Sequence, residues 1–169
     1  VDRRRRSSRP PPAAERPDKP TFLFFGNLTG LGSRSAFHLL FGKVLPRLRQ
    51  TWPDGGFRIL IAGHAELRDW ARRRIDASPE VEFLGFVDDL GALVARCHAV
   101  LAPLDVPVGN RSRILTAMAL GGLVIAHENA ALGNPSLVNG HNALLFRTAG
   151  QMADHMIAAA REPGRFAPV

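Results

Sequence analysis

The chain has 169 residues, of which 46% are hydrophobic, which is enough for one domain with a full core. No apolar stretch is long enough to cross a bilayer, and the single cysteine, Cys97, excludes an internal disulfide and fits a reducing compartment. The formal net charge of +7 comes largely from Arg3 to Arg6 and Arg9, so it favours a solvated surface over nucleic-acid binding, with contact to an anionic membrane between the two.

The first 20 residues are rich in Arg and Pro and contain almost nothing to bury. We expect residues 1–20 to be a disordered arm or an interdomain linker, and residues 21–169 to form the domain. A domain that begins with such a linker suggests a fragment of a longer chain.

The first half of the domain alternates apolar runs with amphipathic stretches. The run TFLFF predicts a buried strand at 21–25, followed by a Gly-rich loop and a helix at about 34–50 that Pro46 should kink or end early. RILIA predicts a strand at 58–62, and a helix near 66–75 and a strand at 81–84 follow it.

The second half continues the alternation. Asp88 is the predicted N-cap of a helix that carries Leu90, Leu93 and Val94. Strands are predicted at 100–103, 123–126 and 143–146, and a helix at 112–120 that stops at Gly121. Thr148 and Gln151 form a predicted capping box for the last helix.

This pattern predicts an α/β fold, a Rossmann-like, doubly wound parallel sheet of about six strands with helices on both faces. In such sheets ligands bind beyond the carboxyl ends of the strands. We therefore expect one cleft where the loops after the strands converge, at residues 26–34, 63–66, 85–87, 103–113 and 127–133.

The loop at residues 108–113 carries Arg111 and Arg113 among small residues, just before a predicted helix. The first N–H groups of a helix lack internal partners and attract anions, and guanidinium groups bind phosphate oxygens in pairs. Both arginines could instead be exposed loop cations, but their setting favours contact with a diphosphate.

Other polar residues carry weaker signals. Cys97 lies among apolar residues, which favours a buried structural thiol over a nucleophile. His98 and His127 border strands and are predicted to be structural, whereas His64 could equally reach the cleft or be a satisfied loop residue. The six histidines lack zinc-type spacing, so we predict no metal site, and no dinucleotide or phosphate-loop motif is complete.

The order of several segments resembles the C-terminal, donor-binding domain of group 1 glycosyltransferases with the two-domain GT-B architecture. The segments are FFGNL, RILIAGH, VEFLGFVDDLGALVARCHAVLAP, GNRSRILTAMALGGLVIA and LVNGHNALLF, which together span about Phe22 to Ala160. RILTAMALGGLVIA is the most specific, since the family has a leucine, a glutamate and Ala-Met-Ala there.

The resemblance implies a nucleoside diphosphate sugar as substrate, with no cofactor. Gly26 and Asn27 would approach the donor phosphates, with Arg34 as the nearest cation, and Phe86 and Val87 would meet the nucleobase edge. Arg111 and Arg113 align with a Lys-x-Lys pair and would stabilise the departing diphosphate as catalytic groups. The remaining predicted donor-binding residues are His64, Gly109, Asn110, Ser112 and Thr116.

The sequence departs from the family at two acidic positions. The family's two glutamates lie eight positions apart, which places them at Val108 and Thr116. The second normally accepts hydrogen bonds from the ribose hydroxyls, and Thr116 could make one weaker bond. The first normally contacts the sugar, which Val108 cannot do.

We therefore predict the donor-binding half of a retaining, metal-independent hexosyltransferase that acts in polysaccharide biosynthesis. The acceptor would be a lipid carrier or a growing glycan, bound by an N-terminal domain absent from this chain, in the cytoplasm or at the inner membrane face. One alternative is a non-catalytic nucleotide-binding or interaction module on a degenerate transferase fold. A basic nucleic-acid-binding domain is a weaker alternative.

Overall fold

The computed structural model describes residues 17–64, 66–105 and 111–166, apart from the side chains of residues 31 and 111. Within these residues one parallel sheet of six strands has the order β3-β2-β1-β4-β5-β6. The strands are β1 Thr21–Phe25, β2 Arg58–Ala62, β3 Val81–Gly85, β4 Ala99–Ala102, β5 Val124–His127 and β6 Ala143–Phe146. The predicted fold class is confirmed.

The helices cover both faces of the sheet, since alternate residues of each strand point to opposite sides. They are α1 Leu31–Leu39, α2 Leu45–Thr51, α3 Asp69–Asp76, α4 Leu90–Arg96, α5 Arg111–Ala119, α6 Asn129–Leu132 and α7 Ala149–Arg161. Phe22 and Phe24 of β1 belong to a core layer with α1, α2, α3 and α7. Leu23 and Phe25 belong to the opposite layer, with α4, α5 and α6. The sheet is therefore buried on both sides.

The segment around Pro46 is helical. The sequence predicted either a kink or an early end of the helix at this proline, and the helix does not end there. A π-helical turn at Leu40–Val44 joins α1 to α2, and the N–H of Leu45 donates to the carbonyl of Leu40, five residues earlier. Pro46 then stands at the start of α2, which continues to Thr51. The first turn of a helix tolerates proline because the N–H that it lacks would have no partner in that helix.

The N-cap of α4 is Asp89, and the prediction of Asp88 is wrong. The Asp89 carboxylate accepts a hydrogen bond of 2.9 Å from the N–H of Ala92, which is the third residue of the helix. Capping requires this spacing, and Asp88 lies one residue too early. The short helix α6 falls in a segment that we predicted to be a loop.

Two predicted helix ends are confirmed. The N–H of Gly121 donates to Met118 O at 2.9 Å and the N–H of Gly122 to Ala117 O at 2.9 Å, which closes α5 as predicted. Thr148 and Gln151 form the capping box of α7, with each side chain accepting a hydrogen bond from the other residue's N–H.

An ion pair between Arg49 and the buried carboxylate of Glu80 ties α2 to the residue before β3. Nε and Nη2 of Arg49 donate to the two carboxylate oxygens of Glu80 at 2.8 and 2.9 Å. The Glu80 side chain is only 8% exposed. These hydrogen bonds from Arg49 lower the pKa of Glu80 below its usual value of 4.5.

We expect Arg49→Gln to lower the free energy of unfolding by about 2 kcal/mol at pH 7, because a charged carboxylate then stays buried without its partner. A carboxyl with a lowered folded-state pKa contributes stability above its unfolded pKa, and that contribution is lost as the pH falls through the folded value. The difference between the two proteins should therefore shrink in acid. Urea unfolding at several pH values measures it.

Arg58→Gln is the matched control for this prediction. Arg58 pairs with Glu82 at the surface, where the two side chains are 50% and 48% exposed. Loss of this surface pair should lower the free energy of unfolding by less than about 0.5 kcal/mol. Equal losses in the two variants would contradict the role assigned to the Arg49–Glu80 pair.

Candidate functional site

A cavity of about 490 Å³ lies beyond the carboxyl ends of β1, β2 and β3, at the predicted edge of the sheet. Its walls are mostly apolar, with main-chain groups of glycine turns and two polar side chains among them. The lining residues are Phe25, Gly26, Asn27, Ala62, Gly63, His64, Phe86, Val87 and Leu90. Five predicted donor-binding residues are therefore brought together: Gly26, Asn27, His64, Phe86 and Val87.

Three turns meet closely at the floor of this cavity. The N–H of Gly26 donates to Ala62 O at 3.0 Å, and the N–H of Gly63 donates to Gly85 O at 2.9 Å. A Cβ on Gly63 would lie only 2.5 Å from the carbonyl oxygen of Gly26. Because that neighbour is backbone, a side chain at position 63 would push the turns apart.

The guanidinium of Arg113 packs directly against the Gly26 turn. Its Nε donates a hydrogen bond to the carbonyl of Phe25, and its Cζ lies 4.7 Å from the ring centroid of Phe24. Gly26 has a φ of +127°, and a Cβ there would lie 2.7 Å from Nη2 of Arg113. The glycine therefore permits both the turn and the close approach of the guanidinium.

Arg113 is a buried cation, with a side chain that starts in the first turn of α5. Burial lowers its pKa to about 10, since the charged form loses hydration. The group therefore stays protonated at neutral pH. Its positive charge lies directly against the turn that borders the cavity, and its contact with a ligand remains a prediction.

Asn27 has two roles in the first loop. Its amide oxygen accepts hydrogen bonds from the N–H and the hydroxyl of Thr29, at 2.9 and 2.8 Å. Its carbonyl accepts a hydrogen bond of 2.7 Å from the hydroxyl of Ser33. These bonds hold the loop in shape while Asn27 lines the cavity.

His64 and Phe86 form an aromatic wall on the β2–β3 side of the cavity. Their ring centroids are 5.6 Å apart at an interplanar angle of 80°, an edge-to-face contact. Phe86 is 66% exposed, which is unusual for so large an apolar side chain. An exposed ring at a cavity mouth provides a surface on which a planar ligand can pack.

The other predicted site residues lie apart from this cavity or outside the described residues. Arg34 points to Trp70, with its Cζ 5.8 Å from that ring centroid, and does not line the cavity. Ser112 and Thr116 are exposed on α5 and do not line it either. The main chain of Arg111 begins α5. Val108, Gly109 and Asn110 lie outside the described residues, and all these roles remain predictions.

Sequence reasoning missed Asp105, which connects three elements at the same edge of the sheet. Its carboxylate accepts a hydrogen bond of 2.8 Å from the hydroxyl of Ser35 in α1, and its carbonyl accepts one of 2.6 Å from the side chain of Asn129 in α6. The sequence signal that could have identified Asp105 was its position shortly after the fourth predicted strand, where loops that bind ligands begin. Leu90 was also missed, because its helical spacing indicated core packing alone.

Three residues that we predicted to be structural are packed or hydrogen-bonded within the fold, which confirms the prediction. Cys97 is buried, which raises the pKa of its thiol to about 12 and disfavours the nucleophilic thiolate. Nδ1 of His98 accepts a hydrogen bond of 3.1 Å from the N–H of Thr21. Nδ1 of His127 accepts one of 3.2 Å from the N–H of Asn129, and its ring packs edge-on against Phe146.

The described ranges contain neither a cluster of metal ligands nor a helix that could span a membrane. No three His, Cys, Asp or Glu side chains there lie close enough to hold a metal ion. No helix among these residues combines the length and the apolar character that crossing a membrane requires.

Comparison with known proteins gives one family and several similar folds. The family model described as "Glycosyl transferases group 1" matches residues 19–162. No curated protein sequence matches the chain significantly.

The solved structures that resemble the chain are larger proteins of low sequence identity. A mutant of S. aureus TarM, in complex with fondaparinux, alpha-GlcNAc-glycerol and UDP, has a TM-score of 0.69 and 13% identity over 90% of this chain and 31% of its own. HepE of Anabaena, in complex with UDP-glucose, has a TM-score of 0.66 and 20% identity over 88% of this chain and 41% of its own. A glycosyltransferase from Rickettsia africae has a TM-score of 0.64 and 16% identity over 88% of this chain and 39% of its own. The chain therefore spans less than half the length of these proteins.

The contact between the Gly26 and Gly63 turns gives a test of the cavity floor. We expect Gly63→Ala to lower the free energy of unfolding by about 1–3 kcal/mol, because the new methyl group cannot fit beside the carbonyl of Gly26. Urea unfolding measures the loss. Gly164→Ala is the control, since Gly164 has no positive φ and a Cβ there meets nothing within 4 Å. That variant should stay within about 0.5 kcal/mol of the parent, and an equal cost in both would contradict the packing described.

Proposed function

The chain belongs to the group 1 glycosyl transferases, and on that premise we propose that its cavity at the carboxyl edge of the sheet binds a nucleoside diphosphate sugar. The observation that carries the proposal is the convergence of the turns at Gly26, Gly63 and Phe86 on one open, mostly apolar cavity. The TarM and HepE structures contain UDP and UDP-glucose, which supports a donor of this class.

The base is proposed to pack on the aromatic wall. Phe86 offers an exposed ring, and Val87 and Leu90 continue the apolar surface beside it. Main-chain groups at Phe86 and Val87 would bond the edge of the base. Burial of the planar base on this surface removes it from water, which favours binding. The hydrogen bonds to its edge provide specificity.

The diphosphate is proposed to lie between the Gly26 turn and the amino end of α5. The Gly26 turn lines the cavity, and the first N–H groups of α5 lack helical partners. Arg113 supplies a fixed positive charge behind the turn, and Arg111 begins the helix. These groups would stabilise the charge that develops on the departing diphosphate without a metal ion.

The complete reaction is proposed to be transfer of a hexose, with retention of configuration, to a lipid carrier or glycan in polysaccharide biosynthesis. The chain covers 31% of TarM and 41% of HepE, so a further N-terminal domain would bind the acceptor. The enzyme would act in the cytoplasm, at the inner face of the membrane where the acceptor is lipid-linked.

A second candidate function is a nucleotide-binding or interaction module without transferase activity. The observation that favours it is that neither of the family's two acidic positions carries an acidic residue here, since they are Val108 and Thr116. Valine offers no hydrogen bond to a sugar, and threonine cannot hold two ribose hydroxyls as a carboxylate does.

We expect calorimetric titration of the chain with UDP, GDP and ADP to give saturable heat with at least one of them. Phe86→Ser should weaken that binding about tenfold, equivalent to about 1.4 kcal/mol, because the base loses its apolar surface. Leu132→Ser is the matched control, since Leu132 is 77% exposed and lies outside the cavity.

Arg111→Ala tests the phosphate end of the same site. It should also weaken nucleotide binding about tenfold, whereas Arg161→Ala, at the end of α7, should change it less than twofold. Absence of saturable heat with every nucleotide would refute the proposed donor site, and unchanged binding in Arg111→Ala would refute its phosphate end.

Transfer assays separate the two candidate functions. Joined to its acceptor domain, the chain should transfer sugar from the nucleotide sugar that it binds best, with radiolabelled donor as the measurement. Robust turnover would eliminate the non-catalytic module. Saturable nucleotide binding without turnover from any donor would instead support the module and contradict the transferase.

A further inference from the structure

We propose that the chain binds a phosphate group in a second cavity, on the helical layer formed by α1 and α3. This cavity has a volume of about 160 Å³ and is lined by Arg34, His38, Trp70 and Arg74. It shares no lining residue with the donor cleft, so the inference does not depend on the proposed function.

Two helices bring the lining residues together. Arg34 and His38 are four residues apart on α1, and Trp70 and Arg74 are four residues apart on α3. Residues at this spacing are neighbours on one face of a helix. Both faces border the same cavity, so two arginines and one histidine line it together.

One wall of the cavity packs against the core. The Trp70 ring meets Phe37 edge-on, with centroids 5.4 Å apart, and Phe37 stacks on Phe41 at 5.3 Å. Phe37 is 1% exposed. The guanidinium of Arg34 lies 5.8 Å from the Trp70 ring centroid, in the range of a cation–π contact that orients it.

The cavity concentrates positive charge. No carboxylate lines it, and in the part of the chain that the structure describes, neither Arg34 nor Arg74 forms an ion pair. Two like charges that line one small cavity repel each other, and an anion bound there offsets that repulsion.

A phosphate group fits this arrangement better than a carboxylate. It offers three strong acceptor oxygens, which can take hydrogen bonds from both guanidinium forks and from the imidazole. The indole of Trp70 provides an apolar surface for the carbon atoms of a phosphate ester. The same chemistry is found in a soluble phosphorylated molecule and in the headgroup of an anionic lipid.

Nuclear magnetic resonance of the indole N–H groups tests the site with inorganic phosphate at constant ionic strength. The chain has two tryptophans, so Trp52→Phe assigns the signals. Trp52 packs against Phe57, with ring centroids 6.0 Å apart, and lies outside the cavity. We expect the Trp70 signal to shift and saturate, whereas the Trp52 signal stays in place. A Trp70 signal that does not saturate would overturn the proposal.

A pair of double variants tests whether phosphate binding depends on this site or on the net charge of the chain. Arg34→Gln with Arg74→Gln should weaken phosphate binding at least tenfold. Arg73→Gln with Arg161→Gln removes the same charge from two exposed residues outside the cavity and should weaken it less than twofold. Equal losses in the two double variants would overturn the proposal, and thermal unfolding confirms that both are folded.

Vesicle co-sedimentation identifies the source of the phosphate. The vesicles are phosphatidylcholine with or without phosphatidylglycerol. In one outcome, the Arg34/Arg74 variant loses at least five times more of its binding to the anionic vesicles than the control variant does. That result would support the site and assign it to a lipid headgroup. Equal vesicle binding by the two variants, with saturation of the Trp70 signal, would support the site and assign it to a soluble phosphorylated molecule.

Discussion

The contact between Arg113 and the Gly26 turn determines the shape of the carboxyl edge of the sheet. The guanidinium joins the first turn of α5 to the end of β1 through the carbonyl of Phe25, and it packs on Phe24 beneath. Because Gly26 has no side chain, a full positive charge reaches the turn from behind. The contact thus couples the loop after the first strand to the helix after the fourth, two segments far apart in the chain, and both are parts of the proposed phosphate site.

The cavity follows from close backbone approach rather than from a large opening between helices. The turns after β1, β2 and β3 are hydrogen-bonded to one another, and Gly63 lets two of them come closer than any side chain would allow. Above this floor stand Phe86 and His64, whose edge-to-face contact forms an aromatic wall. The result is a polar backbone floor beside an apolar wall, which is the division that a nucleotide presents between its phosphates and its base.

Four of the arginines that the structure describes have three different physical settings. Arg49 is partly exposed and neutralises the buried carboxylate of Glu80, so it stabilises the fold. Arg113 is buried behind the Gly26 turn, beside the cavity that we propose binds the donor. Arg34 and Arg74 line a small cavity to which the described residues contribute no carboxylate, and they are the basis of the second phosphate site that we propose. Residue type and net charge alone do not distinguish these settings, since each depends on what the side chain packs against.

The sequence by itself determined the fold class and all six strands, because apolar runs, glycine turns and capping residues are local signals that parallel sheets use in a fixed order. The family was indicated by the resemblance of several segments, and five of the nine described residues that line the cavity were among the predicted site residues. It did not determine which side chains meet. Arg34 follows the first loop yet lies against Trp70, and Asp105 links α1 to α6, because both placements depend on how helices pack across the sheet. The N-cap at Asp89 and the π-helical turn before Pro46 were decided the same way, since packing sets where a helix begins and how it winds.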